Sequence, residues 1–265
     1  MQARTISERV QWAGAVDWNR RLFDDLIPLP EGTSYNAYLV RGSEKTALID
    51  TVDPSLQHCL LEVLAPLPAL DYLVCQHVEQ DHAGSIPQVL ERFPQAMVLC
   101  SEKAKPMLED HLHVAPERIR IVADGETVSL GDRTLRFVYT PWVHWPETLS
   151  TLLPEERILF TCDFFGSHFA SSRLFAGNDH AVLDAAARYY AEIMMPFRPA
   201  IRNNLKKIEG LDFGIIAPSH GPLYDQPALI LDAYRDWISD RVANRVVIPY
   251  VSMHGSTEVM VDHLV

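Results

Sequence analysis

The feature that most constrains this chain is one short run, His77-Val78-Glu79-Gln80-Asp81-His82-Ala83-Gly84. His77, Glu79, Asp81 and His82 place four metal-competent side chains within six positions. Any one of them alone in a loop reads as a solvated side chain. Together they match the composition of a metal-ligating cluster, which packing does not explain. The run follows directly on residues 70–76, a continuous apolar stretch of the kind that forms a strand buried on both faces. Its side chains therefore leave a strand end and enter a loop, where α/β proteins build their sites.

Three further residues occupy the same kind of position. His144 follows a predicted strand over 135–140, Asp163 directly follows one over 158–162, and His220 follows one over 214–217. Four strand ends, each delivering a His or a carboxylate, are expected to converge on one rim of a sheet. The rest of the pattern is compatible with that. Strands are predicted over 35–40, 46–50, 96–100, 119–122 and 127–130, and helices over 56–64, 84–93, 106–113, 180–195, 199–209 and 227–243. Mixed strands and helices without a Pro/Gly/Ser linker predict one layered α/β domain over residues 1–243. Residues 245–251 read as a fresh strand. With the Gly/Ser/Thr loop 252–257 and a helical start behind it, this is how a phosphate-cradling unit begins.

Composition narrows the functions. With 23 Lys+Arg against 35 Asp+Glu the formal net charge is −12, which argues against nucleic acid and anionic membrane surfaces, both of which require clustered cations. No uncharged run approaches the ~18–20 residues of a membrane-spanning helix. The N-terminus lacks the apolar core of a secretory signal, and a reducing cytoplasm is the expected location. Cys59, Cys75, Cys100 and Cys162 form no C-x-x-C pair, and the last three read as reduced thiols in or beside apolar runs.

The H-x-E-x-D-H run, His144, Asp163 and the Pro218-Ser219-His220-Gly221-Pro222 context resemble the flavodiiron proteins, a branch of the metallo-β-lactamase superfamily. The resemblance extends to Gly32-Thr33-Ser34-Tyr35-Asn36-Ala37-Tyr38-Leu39, His144-Trp145-Pro146-Glu147-Thr148, Asp163-Phe164-Phe165-Gly166, Arg188-Tyr189-Tyr190-Ala191 and Met253-His254-Gly255-Ser256-Thr257. It implies a four-layer αββα sandwich with two iron ions at one edge. By position, His77, Glu79 and His144 would hold one iron, Asp81, His82 and His220 the other, and Asp163 would bridge them. In some relatives the counterpart of His82 swings away and water replaces it. The resemblance also implies reduction of dioxygen or nitric oxide, with electrons from an FMN on a C-terminal flavodoxin-like domain. In the family's head-to-tail homodimer, that flavin lies beside the partner subunit's metal centre. Here residues 244–265 match only the first strand and phosphate loop of such a domain, so FMN is expected only where a complete flavodoxin domain is present.

The residues themselves favour iron. Hydrolases of the superfamily carry a second His where this chain has Glu79. A carboxylate there adds negative charge and a hard oxygen donor, suited to iron cycling between two oxidation states. Two ions about 3.5 Å apart could clamp both atoms of a diatomic ligand. Two alternatives stay open: a flavin-less oxygen sensor that signals to a partner protein, and a dizinc hydrolase. Outside the set, His58, His111, His113, His168, His180 and His263 read as surface or helix residues. Trp142, Trp145 and Phe165 read either as an apolar wall around the metals or as ordinary core. One of Tyr189 and Tyr190 is a candidate hydrogen-bond donor to a bound ligand.

Overall fold

The computed structural model describes residues 3–242 and 244–265. Two sheets pack face to face. The first has, in spatial order, Arg4–Thr5, Val10–Trp12, Tyr38–Arg41, Thr46–Ile49, Tyr72–Val74, Met97–Cys100 and Ile119–Ile121, the last four mutually parallel. The second has Thr127–Ser129, Thr134–Tyr139, Leu149–Leu153, Ile158–Cys162 and Ile215–Pro218, antiparallel except for the last pair.

Strand alternation explains the layering. Ala47, Ile49, Val74 and Leu99 point inward from the first sheet and meet Leu153, Ile158, Phe160 and Ala217 from the second. Their neighbours Leu48, Leu73, Val98 and Cys100 point outward and are covered by Leu60, Leu64, Val89 and Leu108 of the helices Gln57–Leu64, Ile86–Arg92 and Ala104–Leu112. On the far side Leu152, Leu159 and Ile216 meet Ala186, Ile201, Leu205 and Ile230 of the helices His180–Tyr189, Arg198–Ile208 and Pro227–Trp237. A period of two, buried on both faces, thus makes three apolar layers between four structural ones. The architecture is the αββα sandwich.

Several elements differ from the sequence reading. Leu149–Leu153 is a fully buried strand that pairs on both sides, and its Ser150 and Thr151 hide it from an apolar-run criterion. The helix expected over 180–195 is α-helical only to Tyr189, then widens into a π turn over Tyr190–Met194. The helix expected over 227–243 ends at Trp237, and its last predicted residue, Ala243, lies outside the described residues. Residues 245–251 form no strand: among the described residues nothing pairs with them, and Val246, Val247 and Val251 are exposed. The expected helix beyond them forms over Ser256–Leu264, started by Gly255 at φ 79°.

Candidate metal centre

The predicted residues meet where the strand ends come together. His77 lies just beyond Tyr72–Val74, and Asp81 and His82 sit on the short helix Gln80–Ala83. His144 lies in the loop after Thr134–Tyr139, while Asp163 and His220 follow the adjacent parallel strands Ile158–Cys162 and Ile215–Pro218. Ligand atoms of His77, Glu79, His144 and Asp163 all lie within 4.8 Å of one another, and so do those of Asp81, His82 and His220.

Asp163 joins the two groups. Its Oδ2 is 3.4 Å from both His77 Nε2 and His144 Nε2, and its Oδ1 is 3.0 Å from His82 Nε2 and 3.4 Å from His220 Nε2. Glu79 Oε2 closes the first group at 2.9 Å from His77 Nε2 and 3.1 Å from His144 Nε2. Asp81 closes the second, 3.3 Å from His82 Nε2 and 3.1 Å from His220 Nε2.

The rings are aimed from behind. His77 Nδ1 donates to Glu147 Oε1 at 2.6 Å, and the same oxygen accepts from Val78 N. His220 Nδ1 donates to the Ser34 carbonyl at 2.8 Å. The loop carrying His220 is pinned by Asn36 Nδ2, which donates to the Pro218 and Gly221 carbonyls, and by the Tyr38 hydroxyl on Pro218. Such outer partners fix which ring nitrogen faces a metal. Among the described residues no well-aligned hydrogen bond reaches either ring nitrogen of His82 or either oxygen of Asp81 or Asp163, although all these atoms are buried and His82 Nε2 lies only 3.0 Å from Asp163 Oδ1. Unsatisfied buried polar atoms cost about 1–3 kcal/mol each. Buried imidazole nitrogens and carboxylate oxygens that converge at 3.0–3.4 Å without good hydrogen-bond alignment fit bound cations.

Electrostatics give the same requirement. Burial disfavours charge on the imidazoles, but the carboxylates outweigh it: His77 is raised well above the usual range, His144 to about 9 and His220 to about 10. Burial also opposes ionisation of Glu79 and Asp163, yet the surrounding imidazoles hold both below the usual carboxylate range. The site demands positive charge, as protons or as metal ions.

The structure brings other residues in and leaves some out. His168 is not a surface residue: it is buried, its ring lies 4.7 Å from His220, and its Nδ1 pairs with Thr33 Oγ1. Burial and the neighbouring His220 hold it well below the ordinary imidazole range, in the neutral form. Glu147 and Asp50 are buried partners to which the sequence reading assigned no role. Asp50 accepts from both nitrogens of Gln76. Trp145 packs 4.9 Å from His77, but Trp142 is exposed, and Phe165 lies in the outer core, stacked on Phe164 and edge-on to Tyr234. Tyr189 faces the centre, 5.9 Å from His220, whereas Tyr190 turns its hydroxyl to Trp237. A cleft of about 560 Å³, lined by Asp24, Glu79, Gln80, His111 and Trp145 among others, opens on the first group.

Two sheets, four layers and a paired His/carboxylate cluster at their edge define a metallo-β-lactamase-type protein. The profile of the family described as "ODP family beta lactamase" matches residues 33–221. The chain is 44% identical to the type A flavoprotein fprA of Rhodobacter capsulatus, over 95% of this chain and 61% of that one. It is 40% identical to the nitric oxide reductase of Moorella thermoacetica, over 99% and 68%. Among solved structures, the rubredoxin oxygen:oxidoreductase of Desulfovibrio gigas superposes with a TM-score of 0.93 at 35% identity, covering 99% and 68%. The flavodiiron protein of Giardia intestinalis does so at 0.83 and 31%, covering 90% and 59%. The chain belongs to the flavodiiron protein family. It spans about three fifths to two thirds of the length of these relatives. Among the described residues no helix is long and apolar enough to cross a membrane.

Proposed function

We propose that this chain is a non-heme diiron module that binds and reduces dioxygen or nitric oxide, with electrons from a flavin domain or an external redox partner. The observation that carries the reading is Asp163, whose two oxygens face two separate ligand groups. His77, Glu79 and His144 would hold one iron, Asp81, His82 and His220 the other, and Asp163 would bridge them. Bound iron supplies electrons and an attachment point for a diatomic molecule. The protein's own part is to hold His77 and His220 by their Nδ1 atoms, to keep His168 neutral beside His220, and to wall one side with Trp145.

Glu79 supports iron over zinc, because a hard carboxylate stands among imidazoles with no thiolate in either group. The names of the relatives above, a nitric oxide reductase and a rubredoxin oxygen:oxidoreductase, support the two substrates. Residues 244–265 would begin a flavodoxin-like unit, and the assembly would be a homodimer.

The test is metal analysis followed by anaerobic mixing. Two irons per chain are expected, with catalytic gas consumption once a flavodoxin- or rubredoxin-type donor is added. Zinc without iron would overturn the reading in favour of a hydrolase. Stable binding of dioxygen without turnover, with donor present, would replace reduction by sensing.

A further inference from the structure

Cys162 occupies an unusual place. It ends the strand Ile158–Cys162 where the register with Ile215–Pro218 shifts, and its backbone is left-handed, at φ 52°. Successive strand residues normally face opposite ways. The bulge and the left-handed turn break that alternation, so Cys162 and the next residue, Asp163, both face the cluster. The Cys162 sulfur, a His82 ring nitrogen and an Asp163 oxygen lie within 4.8 Å of one another, and all three residues are buried. Among the described residues, the ring nitrogens of His82 and both oxygens of Asp163 make no well-aligned hydrogen bond; their nearest mutual contact is 3.0 Å, between His82 Nε2 and Asp163 Oδ1. The other three cysteines belong to no such group among the described residues.

We propose that Cys162, His82 and Asp163 form a further binding position for a soft, thiophilic cation of the zinc or cadmium class. An ion of this kind takes sulfur at about 2.3 Å or more and tolerates three protein ligands. On binding, the thiol proton is released to solvent and a sulfur–metal bond forms, with no change of oxidation state. Because His82 and Asp163 also belong to the groups facing them across the centre, an ion held here withdraws two donors from that arrangement. The position would therefore make the centre sensitive to soft metals. It does not depend on the iron assignment, since sulfur ligation is read separately from iron content.

The experiment titrates the metal-free full chain with cadmium under anaerobic conditions with a phosphine reductant, following thiolate-to-cadmium absorption in the ultraviolet. One thiolate's worth of absorption per chain is expected. It should fall by about nine-tenths in Cys162→Ala and persist in Cys100→Ser and in Cys59→Ser, whose sulfur lies 3.4 Å from His58 Nε2. No band in the unsubstituted chain, a band surviving in Cys162→Ala, or a band lost in Cys59→Ser would each overturn the proposal. Should Cys162→Ala fail to fold, the ¹¹³Cd resonance of the unsubstituted protein decides. A strongly downfield position indicates sulfur, and one typical of nitrogen and oxygen donors alone overturns it.

Discussion

Glu147 has no direct place in either ligand group, yet it fixes the most enclosed ligand, His77, through a 2.6 Å bond to Nδ1. Outer-shell partners of this kind are worth about 10–100-fold in metal affinity. Glu147→Gln keeps the shape and removes the charge, so competition with a chelator should show iron held 10–100-fold more weakly. Unchanged affinity would mean that His77 is oriented by its loop alone. Asp163→Ala removes the one side chain shared by the two groups, and iron should fall well below two per chain on metal analysis. Full loading would refute the bridging assignment. The seven proposed ligands are legible in the sequence because each follows a strand closely enough for its position to be inferred. Glu147 and His168 are not. Glu147 meets its partner across 70 residues, and His168 carries no pattern of its own, since its burial comes from Phe23, Tyr189 and His220 closing around it.

At the scale of elements, the strand Ile158–Cys162 is the hinge between core and chemistry. Phe160 fills the layer between the sheets and packs 4.9 Å from Tyr38, while the strand's end delivers Asp163. Phe160→Ala should cost about 3–5 kcal/mol in denaturant unfolding. A loss under 1 kcal/mol would mean the layer closes over the cavity. Gly221, beside His220, sits at φ 78°, and a Cβ there would lie 2.0 Å from Ser167 Oγ and 2.6 Å from the Ser167 carbonyl. Gly221→Ala should therefore destabilise by about 1–3 kcal/mol and displace His220, seen as weakened metal binding. The buried parallel strands were readable because their apolar runs are unbroken. Leu149–Leu153 was not, because Ser150 and Thr151 are polar yet buried. The 245–251 segment has a strand's composition, but a strand also needs a neighbour to bond with.

For the whole molecule, the charge balance of the centre sets how stability responds to pH. His144 and His220 rise in the metal-free protein to about 9 and about 10, from an ordinary value near 6.5. Groups raised on folding contribute stability that is complete below the ordinary value and is lost as pH climbs through the raised one. Calorimetry of the metal-free protein should thus show Tm falling between about pH 6.5 and 10. Metal ions replace those protons, so the loaded protein should hold its Tm over that range, and metal affinity should rise with pH. A metal-free Tm that is flat or rising from about pH 6.5 to 10 would contradict that charge balance. A layered α/β domain is legible in the sequence because each apolar run marks its own strand, whereas the four-layer αββα arrangement followed from the family resemblance. The pairing of distant strand ends is set by how the sheets dock.

That docking has a further consequence. His77, Glu79, Asp81 and His82 come from the chain's first half, with the seven-stranded sheet, and His144, Asp163 and His220 from the second, with the five-stranded sheet. Each ligand group takes members from both. Neither half could assemble a complete group alone, so the metals would act as rivets between the two lobes. Polypeptides cut in the exposed turn at Asp124–Gly125 and mixed should reunite more tightly with metal than without, making the centre a gauge of whether the lobes are joined.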